Sequence, residues 1–438
     1  MLRRLGMATV FVFGGLLVQP ATASSSIPCD EAETLAALIA CVLEGMPRAD
    51  TEGFVIPDPA LSTAWHAVVA AMRSGACNAA DLPAVLADAG YILTDFVSDT
   101  AAYCVLYEGS DTNLDGSVDR GWGTLIVNLQ PRRLVDIQIA HPLNDSNTGT
   151  QGISLFERTG ARAFLMAGTH RRANAATSTC QSSFKIADAA HNTNLPFHWI
   201  AAAMQAEDST RNVVATSLQF HGMASSSCVG VDVYLTQGSG TLALDTAGAL
   251  MGLQTALVDK WSTWQVTIPG DAPTCNLSGG SNVQGRLKNG VPAEQVCTQA
   301  AVVSDISGTF IHIEQKIAFR DPLDWVGALE EVFPEVQQVA IEQPGEVAEA
   351  MSQEVFGSVY PNPFGSQTTI FVETHRSQTI VLTLYDLLGR QRRVVHEGWL
   401  RAGEPLRIPF YQTDLPAGFY VLHIVGERQH HLLPLLAR

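Results

Sequence analysis

From about residue 106 to residue 334, short apolar runs rich in β-branched residues alternate with stretches of helical periodicity. TLIVNL, LVDIQIA, ARAFLMAG, VVATSLQF, VDVYLT and TFIHIEQKIAF have the strand pattern. TQGISLFERTG, the stretch from Asp188 to Glu207, TAGALMGLQTALVDKW and DPLDWVGALEEVF have the helical one. Strand alternating with helix calls for an α/β three-layer domain with a mainly parallel sheet, because crossover helices must cover both sheet faces. Residues 24–105 lack this alternation. CDEAETLAALIACVLEGM and PALSTAWHAVVAAMRSGAC place apolar residues at helical spacing, so a helical segment precedes the α/β domain. Residues 335–355 are acidic and free of large aromatics apart from the flanks, and read as a linker. Residues 356–438 show short alternating strands between turn signals such as LLGR, RAGE and LPAG, the pattern of a small all-β sandwich.

The first residues add a destination. Arg3 and Arg4, an apolar run from Leu5 to Val18 and the small residues Ala21-Thr22-Ala23 make up a secretory signal peptide over residues 1–23. The apolar run is too short for a membrane span, and stable membrane insertion is not expected. All eight cysteines (Cys29, Cys41, Cys77, Cys104, Cys180, Cys228, Cys275, Cys297) follow the cleavage site. An even number in an exported chain implies disulfides, and pairing between sequence neighbours, Cys275 with Cys297 first, is the expectation. The net charge is −17, and lysine occurs only at Lys185, Lys260, Lys288 and Lys316. Such a surface argues against nucleic acid or anionic membrane as a partner.

Several polar residues fall where an α/β sheet places its chemistry, outside the carboxyl ends of its strands. LVDIQIA ends at His141, with Asp145 just beyond. ARAFLMAG ends at His170 and Arg171, and VVATSLQF ends at His221. TFIHIEQ carries His312 and Glu314. Histidines and a carboxylate converging on one crevice would suit a catalytic zinc site with an open position. Asp188 and His191, one helical turn apart, could bind a metal or line the same cleft. There is no GxSxG elbow, cysteine-protease signature, Walker A loop or dinucleotide fingerprint. DTNLDGSVD places Asp111, Asn113, Asp115 and Asp119 at positions 1, 3, 5 and 9 of a calcium-loop pattern, with Gly116 at position 6. Trp122 occupies position 12, where a bidentate carboxylate belongs. A solvated Asp/Asn/Gly turn is the other reading.

Two resemblances follow from these motifs. VYPNPFGSQTTI, LTLYDLLGRQRRVV, AGEPLRI and LPAGFYVLHI occur in the order seen in the type IX secretion sorting domain of Bacteroidota, which Val359 to Arg438 resembles. That resemblance implies engagement of the type IX secretion machinery, passage through the outer membrane, and removal of the domain with release or surface attachment of the cargo. In the central domain, the order of histidines and carboxylates is similar to that of the zinc carboxypeptidases and their poly-γ-glutamate hydrolase relatives. That resemblance implies His141, Asp145 and His221 as zinc ligands and Glu314 as general base. Arg171, with His170 beside it, would be aimed at the substrate's carboxylate or scissile carbonyl. Asp145 departs from the pattern, since it stands four residues after His141 where those enzymes have Glu at three. A zinc-dependent amide hydrolase acting on peptide or polyglutamate is one expectation. A non-catalytic secreted protein binding peptide or glycan is another, and a disulfide- and calcium-stabilised coat component a third.

Overall fold

The computed structural model describes residues 29–98, 101–336 and 355–437, except for positions 272, 274, 361, 363, 375–376, 387–389, 413–414 and 427–429. The signal peptide, most of the linker, and the residues Pro361, Pro363 and Gly389 of the sorting-domain motifs lie outside the described residues. The chain divides into two units, Met1–Val339 and Ala340–Arg438.

In the first unit, α1 (Leu35–Glu44), α2 (Ser62–Arg73) and α3 (Ala84–Ala87) precede β1 (Tyr91–Val97), β2 (Ala102–Glu108), β3 (Thr124–Asn128) and β4 (Val135–Ile139). Then follow α4 (Thr148–Thr159), β5 (Ala163–Met166), α5 (Pro196–Arg211), β6 (Thr216–Gly222) and β7 (Val233–Thr236). The unit closes with α6 (Gly248–Lys260), β8 (Val266–Thr267), α7 (Val283–Lys288), β9 (Phe310–Gln315) and α8 (Pro322–Val332). The strands form one sheet in the order β1-β2-β3-β5-β4-β6-β9-β7-β8.

This sheet is mixed rather than mainly parallel. β5, β4, β6 and β9 run parallel at its centre. β1, β2 and β3 join one side antiparallel, and β7 pairs antiparallel with β9 on the other. The residues between Val97 and Ala102 are too few for a crossover helix, so β1 and β2 can only pair as antiparallel neighbours. Because β1 begins at Tyr91, the sheet starts ahead of the expected 105/106 boundary. The N-terminal helices are part of its cover.

Alternation along each strand sends side chains to two cores. Val105, Ile137, Phe164, Leu218 and Ile311 meet α1, α4, α6 and α8 on one face. Leu106, Leu125 and Leu165 meet α2 and α5 on the other. Helices therefore pack against both faces of the sheet. Phe156, Phe164, Phe220 and Trp325 are among the largest fully buried side chains. Each such burial stabilises by about 1.5–3 kcal/mol.

Four disulfides join Cys29–Cys41, Cys77–Cys104, Cys180–Cys297 and Cys228–Cys275. They fit an extracellular protein. The expected Cys275–Cys297 pair is not formed. Cys275 instead reaches back to Cys228 and Cys297 to Cys180, because the loops that carry these partners are brought together by the sheet and not by the chain. Among the described residues no helix is long and apolar enough to cross a membrane.

The second unit contains β10 (Val355–Tyr360), β11 (Gln367–Thr374), β12 (Gln378–Asp386), β13 (Gln391–Leu400), β14 (Leu406–Tyr411), β15 (Gly418–Val425) and β16 (His430–Ala437). They form antiparallel sheets β10-β11-β14 and β13-β12-β15-β16. Ile370, Val372 and Phe410 from the first sheet share a core with Ile380, Leu382, Leu422 and Ile424 from the second, as a β-sandwich requires. Phe364, which follows the PNP segment, is buried in the same core.

Candidate metal centre and cleft

β4, β6 and β9 are hydrogen-bonded neighbours, and register alone places the polar groups side by side. Gln138 pairs with Gln219. Gln219 pairs with His312, and His221 with Glu314. All these side chains point to one face, since residues two apart on a strand share a face. His141 follows β4 directly and lies beside His221.

The spacing of Asp145 is explained by the backbone. Asp145 N–H donates to the carbonyl of His141 at 2.8 Å, closing one helical turn, and residues four apart in such a turn share a face. Asn147 then adopts φ 69° and launches α4 in a new direction. The aspartate therefore returns to His141 with the spacing that the sequence pattern left unexplained.

Three acceptor atoms converge. His141 Nδ1 is 3.2 Å from His221 Nδ1 and 3.4 Å from Asp145 Oδ2, which is 3.5 Å from His221 Nδ1. All three residues are buried. The second nitrogen of each imidazole is already committed. His141 Nε2 meets Asp188 Oδ1 at 2.9 Å, and His221 Nε2 meets Gln219 Oε1 at 2.7 Å. Imidazoles donating from Nε2 have bare lone pairs at Nδ1. Two such lone pairs and a carboxylate oxygen facing one point call for a positive charge between them. Burial pushes the His141 imidazole down, but the charge of Asp188, then the bond to Asp145, outweigh it and raise it to about 10. The proton is thus the cation that His141 draws. Burial lowers His221. Burial alone would raise Asp145, but the two imidazoles beside its carboxylate, His141 first and then His221, hold it well below the carboxylate range.

A zinc ion could replace that proton. Tetrahedral ligands about 2.0–2.2 Å from zinc are about 3.3–3.6 Å from one another, and the three separations here are close to that range. Asp188, which the sequence offered as a ligand alongside His191, is instead a partner of His141. It accepts the ring N–H and that of Ala190 N at 3.2 Å. A carboxylate behind a ligating histidine fixes its tautomer and raises its basicity.

The cluster opens into a cleft of about 1050 Å³ lined by His141, Asp145, Arg171, His221, His312 and Glu314, among others. Glu314 is raised to about 8, first by burial and then by the charge of Asp145. Its Oε1 is 3.9 Å from His312 Nε2. The His312 ring stacks on His221 with centroids 4.5 Å apart. Arg171 is half-buried in the cleft wall and close enough to lower Glu314 and Asp188 by its charge. His170 is not part of this lining. Its Nδ1 accepts the N–H of Arg172 at 3.0 Å. His191 stacks on Phe184 at 3.5 Å and gives its Nδ1 to Gln181.

The walls are stapled. Cys228–Cys275 joins the loop of Ser225 and Ser227 to the loop running from Asn276 to Asn282, and both line the cleft. Cys180–Cys297 anchors the loop that carries Phe184 and His191.

The loop from Asp111 to Asp119 is organised by its own hydrogen bonds. Asp111 accepts the N–H groups of Asp115 and Gly116, Asp115 accepts that of Ser117, and Asp119 accepts Ser110 and Thr112. Asn113 bonds Asp115. Among the described residues, the groups whose ligand atoms lie within 4.8 Å of one another are His141–Asp145–His221 and His221–His312–Glu314. The Asp111–Asp119 carboxylates are not brought together in this way.

Sequence reasoning found the converging residues but assigned no role to Gln138, Gln219 and Asn282. Gln219, two positions before His221 and on the same strand face, was the available signal.

No protein-family model matches the chain, and no curated protein matches it in sequence. Among solved structures, the dimeric latent PorU from Porphyromonas gingivalis is similar over 19% of this chain and 9% of its own, at 18% identity and a TM-score of 0.17. The gene product Atu2144 from Agrobacterium tumefaciens is similar over 46% of this chain and 88% of its own, at 11% identity and a TM-score of 0.30. Overlaps this shallow leave the function to be argued from the site.

Proposed function

We propose that the first unit is an exported zinc-dependent amide hydrolase and that the second is a type IX sorting domain. The observation that carries the hydrolase reading is the convergence of His141 Nδ1, His221 Nδ1 and Asp145 Oδ2 at 3.2–3.5 Å, each imidazole being oriented from behind. The donor set of two histidines and a carboxylate is one that zinc takes while keeping a position open. When bound there, zinc supplies a Lewis acid that acidifies water and polarises an amide carbonyl.

The chain's own groups do the rest. Glu314, beside His221 in register, takes a proton from water and delivers it to the departing amine. A carboxyl group held near neutrality is suited to both transfers. Arg171 offers a planar fork for a substrate carboxylate. Peptides with a free carboxylate and γ-linked polyglutamate are the substrate classes that such a clamp selects. The export route is supported by the ordered motifs between Val359 and Arg438 and by the β-sandwich that they build.

The test is metal content. The full-length protein should carry about one zinc per chain, and a His141→Ala/His221→Ala protein should carry none. Amidase activity should follow the zinc. If zinc-supplied wild type stays metal-free, the hydrolase reading fails and the cleft becomes a binding site for peptide or glycan.

A further inference from the structure

We propose that Gln219 is a positioning residue that fixes the tautomer of His221, and that its own orientation is dictated by the loop forming the cleft wall. The inference deepens the metal-site reading, but its first test does not depend on metal.

The argument starts from a backbone amide. Gly285 N–H, in the first turn of α7, donates to Asn282 Oδ1 at 2.8 Å. A backbone N–H can only donate, so the Asn282 side chain must turn its oxygen toward α7 and its NH₂ away. That NH₂ donates to Gln219 Oε1. Gln219 in turn must keep its oxygen toward Asn282, and its Nε2 is spent on Gln138 Oε1 at 3.0 Å. The atom facing His221 Nε2 at 2.7 Å is therefore an acceptor, so Nε2 must carry the proton. Nδ1 is left with its lone pair toward His141 and Asp145.

Nothing in this chain is free to compromise. Gln138, Gln219 and Asn282 are all buried, so a reversed amide would oppose like groups out of reach of water. The strand register repeats the constraint, because Gln219 lies between Gln138 and His312. Asn282 also lines the cleft and closes the loop that begins at Cys275. The wall that would contact substrate and the imidazole that would hold metal thus share one hydrogen-bonded side chain. Gln219 performs for His221 the task that Asp188 performs for His141, with a neutral amide in place of a carboxylate.

Long-range ¹H–¹⁵N correlation on ¹⁵N-histidine-labelled full-length protein reads the tautomer directly, with His221→Gln identifying the resonance. The wild type should show the Nε2–H form of His221. Gln219→Met should show a mixture or the Nδ1–H form. Gln219→Glu, which keeps an acceptor at the same place, should restore Nε2–H. A wild-type Nδ1–H form, an unchanged Gln219→Met spectrum, or loss of Nε2–H in Gln219→Glu would each overturn the proposal. Should Gln219→Met not fold, the wild-type and Gln219→Glu spectra still decide. In a second arm, Gln219→Met should bind zinc about 10- to 100-fold more weakly than wild type, and equal affinity would count against the positioning role. A wild type that shows the Nε2–H form but takes no zinc would sink the metal reading and leave this one standing.

Discussion

His141 and His221 present Nδ1 to Nδ1 at 3.2 Å, while their Nε2 atoms are held from behind by Asp188 and Gln219. Strand β6 and the turn after β4 supply the rings, and two separate buried groups aim them. The consequence is that ligand geometry and proton transfer can be altered separately.

Asp188→Asn and Glu314→Gln should fail differently. The first weakens the partner of His141 and leaves the general base in place, so zinc affinity should fall by roughly 10- to 100-fold. The second keeps the three converging atoms and removes the proton carrier. Metal content should be unchanged, and turnover on an amide substrate should fall by about 10²–10⁴. Equal losses of metal in both variants would show that Glu314 is a ligand and not a base.

Beneath the cleft, Arg162 links Asp136 at 2.8 Å with Asp208, which also takes Arg73 at 2.9 Å. Arg162, Asp136 and Asp208 are buried. Arg162→Met removes the cation between two buried carboxylates, and breaking such a pair costs about 3–5 kcal/mol. Urea denaturation should show a fall of that size. Arg73→Met leaves Asp208 its bonds to Arg162 and should cost less. A larger loss in Arg73→Met would mean that the network is organised around Arg73.

How much of this was legible in the sequence depends on what each feature rests on. Strand periodicity located β3, β4, β5, β6, β7 and β9, and residues at strand ends located His141 and His221, because in a parallel sheet those ends converge; Glu314 was read within the last strand. Sheet direction was less legible. Apolar alternation is the same for parallel and antiparallel neighbours, so the antiparallel pairing of β1, β2, β3 and β7 did not announce itself. The Asp188–Leu195 stretch read as helix, yet α5 begins at Pro196. That residue is a natural first helical position, and Asp188 is turned toward His141 in the loop before it. The neighbour pairs Cys29–Cys41 and Cys77–Cys104 follow the local expectation, whereas Cys180–Cys297, Cys228–Cys275 and the Gln219 amide were hidden for one reason: they depend on contacts between segments far apart in the chain.

The disulfides should differ in what they contribute. Cys180–Cys297 closes a segment of 117 residues and Cys29–Cys41 one of 12. In the chain-entropy account, the longer closure constrains the unfolded chain more, by about 4–5 kcal/mol against about 3. Cys180→Ala/Cys297→Ala should therefore lower the denaturation midpoint more than Cys29→Ala/Cys41→Ala. Since the longer bridge also anchors the loop of Phe184 and His191, substrate affinity should fall in the first variant and not in the second. An equal loss of affinity in both would detach that loop from the cleft's function.

Acid should destabilise the protein through His198. This imidazole, buried in α5 with Gln284 Nε2 3.5 Å from its Nδ1, is pushed down to about 4 by burial and then by the charge of His66. Its folded-state value lies below the ordinary 6.5. The neutral ring's contribution is therefore present above pH 6.5 and lost as the pH falls toward 4, when the unfolded chain binds the proton first. The loss is on the order of 3 kcal/mol for this group. Glu108 works in the opposite direction. Burial raises it to about 7 against the N–H groups of Trp122, Arg120 and Gly121, so its contribution is present below pH 4.5 and lost as the pH rises through 7. The two slopes oppose each other between pH 4.5 and 6.5. His198→Gln should remove one and leave the other, so the variant should lose less stability than wild type on going from pH 7 to pH 4.5. Urea midpoints at those two pH values measure this, and an unchanged difference between them would show that His198 takes up its proton in the folded protein as readily as in the unfolded chain.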